Sequence, residues 1–468
     1  MCAPRRKHRT SGPSYRPDSR RAAVYGPEMN ETRWLQQPPS LRALVGITGL
    51  ALVIVVVAVA TAMRPAASLA GSDVTIYATY GAKMLDGAVP YRDFAMEYPP
   101  GASVMFLLPA TRAVAGGPTD GASWMPLNDA GRRYYRGFES VVAVLLAAIV
   151  VFTALTLRWM ARSVRTVLLS LLLVALSPLL IGRVLTERFD VWPAVLTAAT
   201  LAASVRGWHR FAAVVLGLGA TAKLYPALLL PLLVILVLRR RGAREAVVVT
   251  VVAVATAVAV LLPFSLASFS GTWHALRIQF TGGLQIESLA SSLLVLVRGG
   301  SDFSTQGAGG GLIRIDLVGP GVAAVTVVMD VLLVAALLLL WFRAVRSRRD
   351  AREDLLRYAA ATVAIILVLG TVLSPQYIVW LVPVVVVVGG SRGVAAILLF
   401  AVAAVLTNVW IPDRYFEYQQ HLATSPALLL LGRNLVLLAL AAVLLLPARA
   451  GHALLALSPL SRLQRRLA

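Results

Sequence analysis

The feature that most constrains this chain is a series of apolar runs that recur almost end to end. A helix needs about twenty apolar residues to cross a bilayer's hydrocarbon, and every backbone polar group inside it must be paired within the segment. Twelve stretches approach or reach that length: 41–63, 138–157, 166–183, 189–205, 211–222, 225–238, 245–264, 319–342, 357–373, 378–390, 393–410 and 425–447. Apolar residues make up 58% of the chain and the mean hydropathy is +0.76, outside the range of soluble domains, so the runs read as membrane spans. The expected fold is an all-α polytopic membrane protein with about twelve transmembrane helices.

Charge sets the expected sidedness. Residues 1–40 are polar, proline-bearing and basic (Arg5, Arg6, Lys7, Arg9, Arg20, Arg21), the pattern of a disordered cytoplasmic tail, and 448–468 reads as a second basic cytoplasmic tail. The run at 41–63 is too long and too far from the N-terminus for a signal peptide and reads as an anchor. A net charge of +22 would suit nucleic acid. The arginines, however, sit in clusters between apolar runs (Arg158/Arg162/Arg165, Arg206/Arg210, Arg239–Arg241/Arg244, and Arg343 to Arg357), which is positive-inside patterning and makes the bilayer the expected partner. All four clusters fall on the cytoplasmic side if the segment 99–116 stays at the surface as a juxtamembrane or re-entrant helix; a thirteen-span chain that crosses there is the alternative. The only cysteine is Cys2, so neither a disulfide framework nor a cysteine metal site is available, and no His/Asp/Glu spacing suggests another metal site.

In the twelve-span topology thirteen of the 22 acids, running from Asp73 to Glu417, and the long loops, 64–137 and 265–318, share the outer face. The first of these loops opens with "SDVTIYATYGAKMLDGAVPYRDFAMEYPPG", which holds four acids and four tyrosines. Shorter polar corners follow at "ERFD", "KLYP", "SPQY" and "PDRYFEYQQH". Long ordered loops in a compact protein are usually functional.

The order "D…Y…G…PY…D…EYPP", "ERFDVWPA", "KLYPALLLP", "LQIESLASSLL" and "SPQYIVWLVP" resembles the membrane glycosyltransferases of the GT-C superfamily, and among them glycosyltransferase family 87. Polyprenol-phosphate-mannose-dependent α-mannosyltransferases belong to that family. The resemblance spans 41–447 and implies a GT-C-like domain with its active site facing outward from the cell membrane. It also implies transfer of a hexose, mannose above all, from a polyprenyl-phosphate donor to an envelope glycolipid or glycan. The lipid-linked sugar is then a substrate and no cofactor is expected. An acid of the first outer loop serves such enzymes as base; here that residue is Asp73, positioned to take a proton from the acceptor hydroxyl.

Each candidate also has a structural reading. Asp73 would cap a helix beginning at Val74. Tyr77 and Tyr80 share a helical face, as a sugar pocket or as an interfacial aromatic belt. Glu97 and Tyr98 precede Pro99-Pro100, which bars helix behind it and suits a first turn ahead, with Glu97 also able to touch substrate. Glu187, Arg188 and Asp190 are charges at a helix junction, where an internal ion pair and acceptor binding are the two readings. Glu287 with Ser288 caps the next apolar run or binds substrate, and Gln376-Tyr377 follows Pro375 at a helix break. The chain has 41 arginines and three lysines, which makes Lys223 stand out; its readings are a contact to the donor phosphate and a snorkelling anchor. His274 and His421 read as solvated loop residues, "GAGGG" at 307–311 as a flexible turn, and Asp330 as a charge inside a span that must face protein or water. A transporter or lipid flippase shares the spans, broken helices and buried charges, and is the rival to the enzyme.

Overall fold

A computed structural model describes residues 33–62, 72–111, 129–280, 282–307, 314–411 and 413–446. Most of the two expected tails lies outside these residues. The last part of the first tail does not: Arg33–Gln36 forms a 3-10 turn, and the Val164 amide donates to the Gln37 carbonyl at 2.8 Å. The chain is thus tied to the bundle before the first long helix begins, unlike the disorder expected up to residue 40.

The helices in the first half are α1 (Leu41–Ala62), α2 (Val74–Leu85), α3 (Ser103–Ala110), α4 (Asp129–Trp159), α5 (Val164–Ile181), α6 (Arg183–Thr186), α7 (Val191–Arg206), α8 (His209–Ala222) and α9 (Leu230–Arg241). The second half adds α10 (Ala243–Ala267), α11 (Phe269–Arg277), α12 (Leu289–Arg298), α13 (Val322–Arg346), α14 (Ala351–Leu369), α15 (Val382–Val385), α16 (Gly390–Trp410), α17 (Asp413–His421) and α18 (Thr424–Leu445). Their ends follow local chemistry. Ser163 Oγ accepts from the Thr166 amide, Asp350 from the amides of Arg352 and Glu353, and Gly207 ends α7 at a φ of 95°, where a β-carbon would be strained.

Among the described residues, seven helices are long and apolar enough to cross a membrane: α1, α4, α5, α10, α13, α16 and α18. The other five apolar stretches fold as α7, α8, α9, α14 and the segment Pro375–Val385, which are shorter or, in α14, open with Arg352, Glu353 and Asp354. The reason is visible at Val382–Val388, where every residue is buried: a segment walled by protein needs as many apolar side chains as one facing lipid, at half the length. Pro100–Ala110, the α3 region, is likewise shorter than the seven long helices, and residues 112–116 of the expected surface segment lie outside the described residues.

Burial separates the inner helices from the outer ones. Half or more of α5 and α16 is buried, against 11% of α10 and 6% of α13, so the last two form the outer walls. The pairs α16/α18, α1/α5, α4/α7, α7/α8 and α8/α10 make the main packing surfaces. The helical class holds, and the second long loop adds a small antiparallel sheet in the order β1-β3-β2, built from β1 (Leu284–Gln285), β2 (Ser304–Gly307) and β3 (Ile315–Val318). Leu284 pairs with Leu317 and both are buried, so the sheet roofs one end of the bundle. Gly307 of "GAGGG" belongs to β2, and the rest of that motif lies outside the described residues.

Candidate active site

The polar residues converge where α2, α7, α8 and the 3-10 turn Pro375–Leu381 meet. Asp73 occupies the N-cap position of α2, yet its side chain accepts no capping hydrogen bond. The carboxylate turns inward instead, 3.2 Å from Arg188 Nε, and the Tyr77 hydroxyl, one helical turn on, donates to it at 3.3 Å. Ser72 Oγ stands in at the helix start by accepting from the Val74 amide. Asp73 is only 6% exposed, and a buried carboxylate is kept from neutralising only by its cation. Burial pushes its carboxyl upward and Asp190 adds to the rise, while Arg188, Tyr77 and Lys223 oppose it.

The three charges of "ERFD" part company. Glu187 is held by Arg183 at 2.7 Å, Arg188 reaches across to Asp73, and Asp190 receives both Lys223 Nζ at 3.0 Å and Trp380 Nε1 at 2.7 Å. The internal-pair reading is therefore right in kind, but the partners come from other motifs. Lys223 does not snorkel. It is 8% exposed, and its ammonium lies over the rings of Phe189, Tyr377 and Trp380 at 4.7, 4.8 and 5.5 Å. Tyr377 and Tyr225 stack on Trp380 from either side, fixing this aromatic box.

The belt reading of Tyr77 and Tyr80 is overturned, since both are buried. Tyr77 stacks on Phe106 at 4.6 Å, and Tyr98 lies edge-on to Tyr77 and to Phe189. The double proline sets the geometry of this aromatic wall: Pro99 is extended and Pro100 opens a 3-10 turn. Gly101 lets that turn approach α8 so closely that a β-carbon would strike Thr221 Oγ1 and sit 2.7 Å from the Ala222 amide. Glu97 is half-buried beside Asp73; burial first, then Asp73, pushes its carboxyl up to about 8.

Glu287 occupies a second pocket. It is 1% exposed, and Oε2 has no hydrogen-bond partner among the described residues. Ser288, not Glu287, caps α12, accepting from the Ser291 amide. Arg433 and Asn434 of α18 both donate to the Glu287 carbonyl, at 2.6 and 3.2 Å. Tyr415 of α17 lies within electrostatic reach of Glu287, Arg188 and Asp73, which sets this pocket beside the first. Gln376 is half-buried and makes no hydrogen bond among the described residues. His274 and His421 are exposed, and so is Asp330 on α13, which accepts from Thr371 at 3.5 Å. Among the described residues no three His, Cys, Asp or Glu side chains cluster to hold a metal.

Sequence reasoning missed Arg183, Glu139, Trp380 and the Arg433-Asn434 pair. A signal existed for the last: two polar residues inside "LLLLGRNLVLLAL" are costly in hydrocarbon and mark a buried contact. Glu139, 2% exposed on α4, lies just inside the edge of the apolar run at 138–157.

A sequence profile of glycosyltransferase family 87 matches residues 96–375, more than half of the chain. The chain belongs to glycosyltransferase family 87. It is therefore a membrane glycosyltransferase, and the transporter reading falls. The family 87 match takes in Glu97, Tyr98, the "ERFD" charges, Lys223 and Glu287; Asp73, Tyr77 and Tyr80 lie ahead of it and Gln376-Tyr377 just beyond. Among solved structures, ArnT from Cupriavidus metallidurans bound to undecaprenyl phosphate is similar over 87% of this chain and 77% of that one, at 15% identity and a TM-score of 0.43. No curated protein matches the chain.

Proposed function

We propose that this family 87 enzyme transfers a hexose, mannose in the first instance, from a polyprenyl-phosphate donor to a hydroxyl of an envelope glycolipid or glycan at the outer face of the cell membrane. The observation that carries the reading is Asp73: a carboxylate withdrawn from its capping position, buried, and paired with Arg188 at 3.2 Å. The acceptor hydroxyl attacks the anomeric carbon as the bond to the donor phosphate breaks, and Asp73 takes the hydroxyl proton. The departing polyprenyl phosphate gains negative charge, and Arg188 and Lys223 are the cations beside Asp73 and Asp190 that stabilise it. No protein acid is required for a phosphate leaving group. Glu97, protonated at neutral pH, donates a hydrogen bond to a sugar hydroxyl. The acids of the two long loops and of the polar corners lie on one face, and the arginine clusters, with their partners Glu245, Glu353 and Asp354, on the other, which supports an outward-facing site and a cytoplasmic N-terminus.

The test is direct. Membranes overexpressing the chain are given radiolabelled polyprenyl-phosphate mannose, and the lipid and glycan fractions are analysed. Label appearing in an acceptor product supports the proposal; donor consumed with only free sugar released contradicts it.

A further inference from the structure

A cavity of about 460 Å³ lies at the opposite end of α8 from Lys223, lined by Gly207, Trp208, His209, Arg210, Phe211, Arg241 and Glu245. Lys223 follows the last residue of α8 and His209 is the first, so a rise of about 20 Å separates the cavity from the candidate active site. The arginine clusters at Arg206/Arg210 and Arg239–Arg241 lie at this end, which is the cytoplasmic end by the positive-inside pattern.

Its lining combines three chemistries. The first is uncompensated positive charge: Arg210 pairs with Glu245 through two bonds of 2.8 Å, whereas Arg241 makes no ion pair among the described residues. Arg240 stands next to it and is also exposed. The second is a buried polar group: His209 is 6% exposed and its Nδ1 makes no hydrogen bond among the described residues. The third is apolar surface at the rim, where Trp208 and Phe211 are 54% and 55% exposed. Phe211, Val214 and Leu218 share one face of α8 and none of them is buried, which leaves an apolar lane running from the cavity toward the hydrocarbon.

We infer that this cavity binds the phosphate headgroup of an anionic membrane phospholipid, with Arg241 and Arg210 on the phosphate, His209 supplying a further polar contact, and an acyl chain against Phe211, Val214 and Leu218. A soluble anion would use the guanidiniums but not the lane, and a neutral lipid the lane but not the uncompensated charge. The amphiphile that matches both is an anionic lipid. The site is separate from the donor-binding reading above and stands or falls without it.

Native mass spectrometry of the full chain in neutral detergent, titrated with phosphatidylglycerol, phosphatidylcholine or inorganic phosphate, reads the site. Saturable binding of one phosphatidylglycerol, weakened about tenfold by Arg241→Gln and restored in part by Arg241→Lys, is the expected result. Phe211→Ala should weaken phosphatidylglycerol as well, although it removes no charge. Equal binding of phosphatidylcholine, unchanged affinity in Arg241→Gln, or inorganic phosphate displacing the lipid at equal concentration would each overturn the inference. Arg241 and Phe211 are exposed, so both variants are expected to fold, and retained thermal stability verifies it.

Discussion

Replacing Arg188 by Gln isolates what the cation does for Asp73. The two groups are 3.2 Å apart and their side chains are 15% and 9% exposed. At an effective dielectric near 20 the attraction is about 5 kcal/mol, so losing it pushes the Asp73 carboxyl further upward, in the direction burial already drives it. Water entering the vacated space lowers the size of this rise without changing its direction. The sign is fixed by the chemistry. A base works only when ionised, so the rate of transfer climbs with pH through the Asp73 pKa, and Arg188→Gln moves that limb toward alkaline pH. The assay is sugar transfer from acid to mildly alkaline pH at saturating donor, for both proteins. The variant should be slow at neutral pH and regain rate as the pH rises. An acid limb that stays in place while the rate drops equally at every pH would refute the coupling and leave Arg188 as a packing or donor-binding residue.

Glu97→Gln is expected to keep near-wild-type turnover at neutral pH, because the amide replaces a protonated acid. The wild type alone should lose rate as the pH passes about 8, so matching alkaline limbs would contradict the assignment. Lys223→Met leaves Asp190 buried without its cation, at a cost of about 3–5 kcal/mol, and should weaken apparent donor affinity; Lys223→Arg recovers only part, since a flat guanidinium does not fill a box of three rings. Donor titration with thermal unfolding in detergent reads both effects, and unchanged values in Lys223→Met would remove the lysine from the site. Gly101→Ala drives a β-carbon into Thr221 and the Ala222 amide and should lower stability by about 1–3 kcal/mol, visible as a lower unfolding temperature; no change would mean that the turn can retreat from α8.

Much of this site was legible because membrane proteins place charge sparingly. Asp73, Arg188, Asp190 and Lys223 stood out against an apolar background, and the structure brings them together. Their pairing was not legible. Arg188 lies between two acids of its own motif, and choosing Asp73 over Glu187 or Asp190 depends on how the start of α2 meets the junction between α6 and α7, a tertiary fact with no local signature. The double proline gave the turn at 98–102 because its backbone limits are intrinsic, whereas the close approach to α8 depends on Gly101 meeting a helix far along the chain. The run at 378–390 folds as the end of a 3-10 turn and a short helix walled by protein, which apolar content does not distinguish from a lipid-facing span, and the sheet at 284–318 escaped notice because its strands are two to four residues long.

The central claim is that Asp73 is the base, and its amide variant tests it most directly. Asp73→Asn keeps the shape of the side chain and the Tyr77 contact but cannot take a proton. Turnover at saturating donor is predicted to fall by roughly a hundredfold or more, with folding and donor binding retained. Turnover near that of the wild type in a folded, donor-binding Asp73→Asn protein would contradict the account.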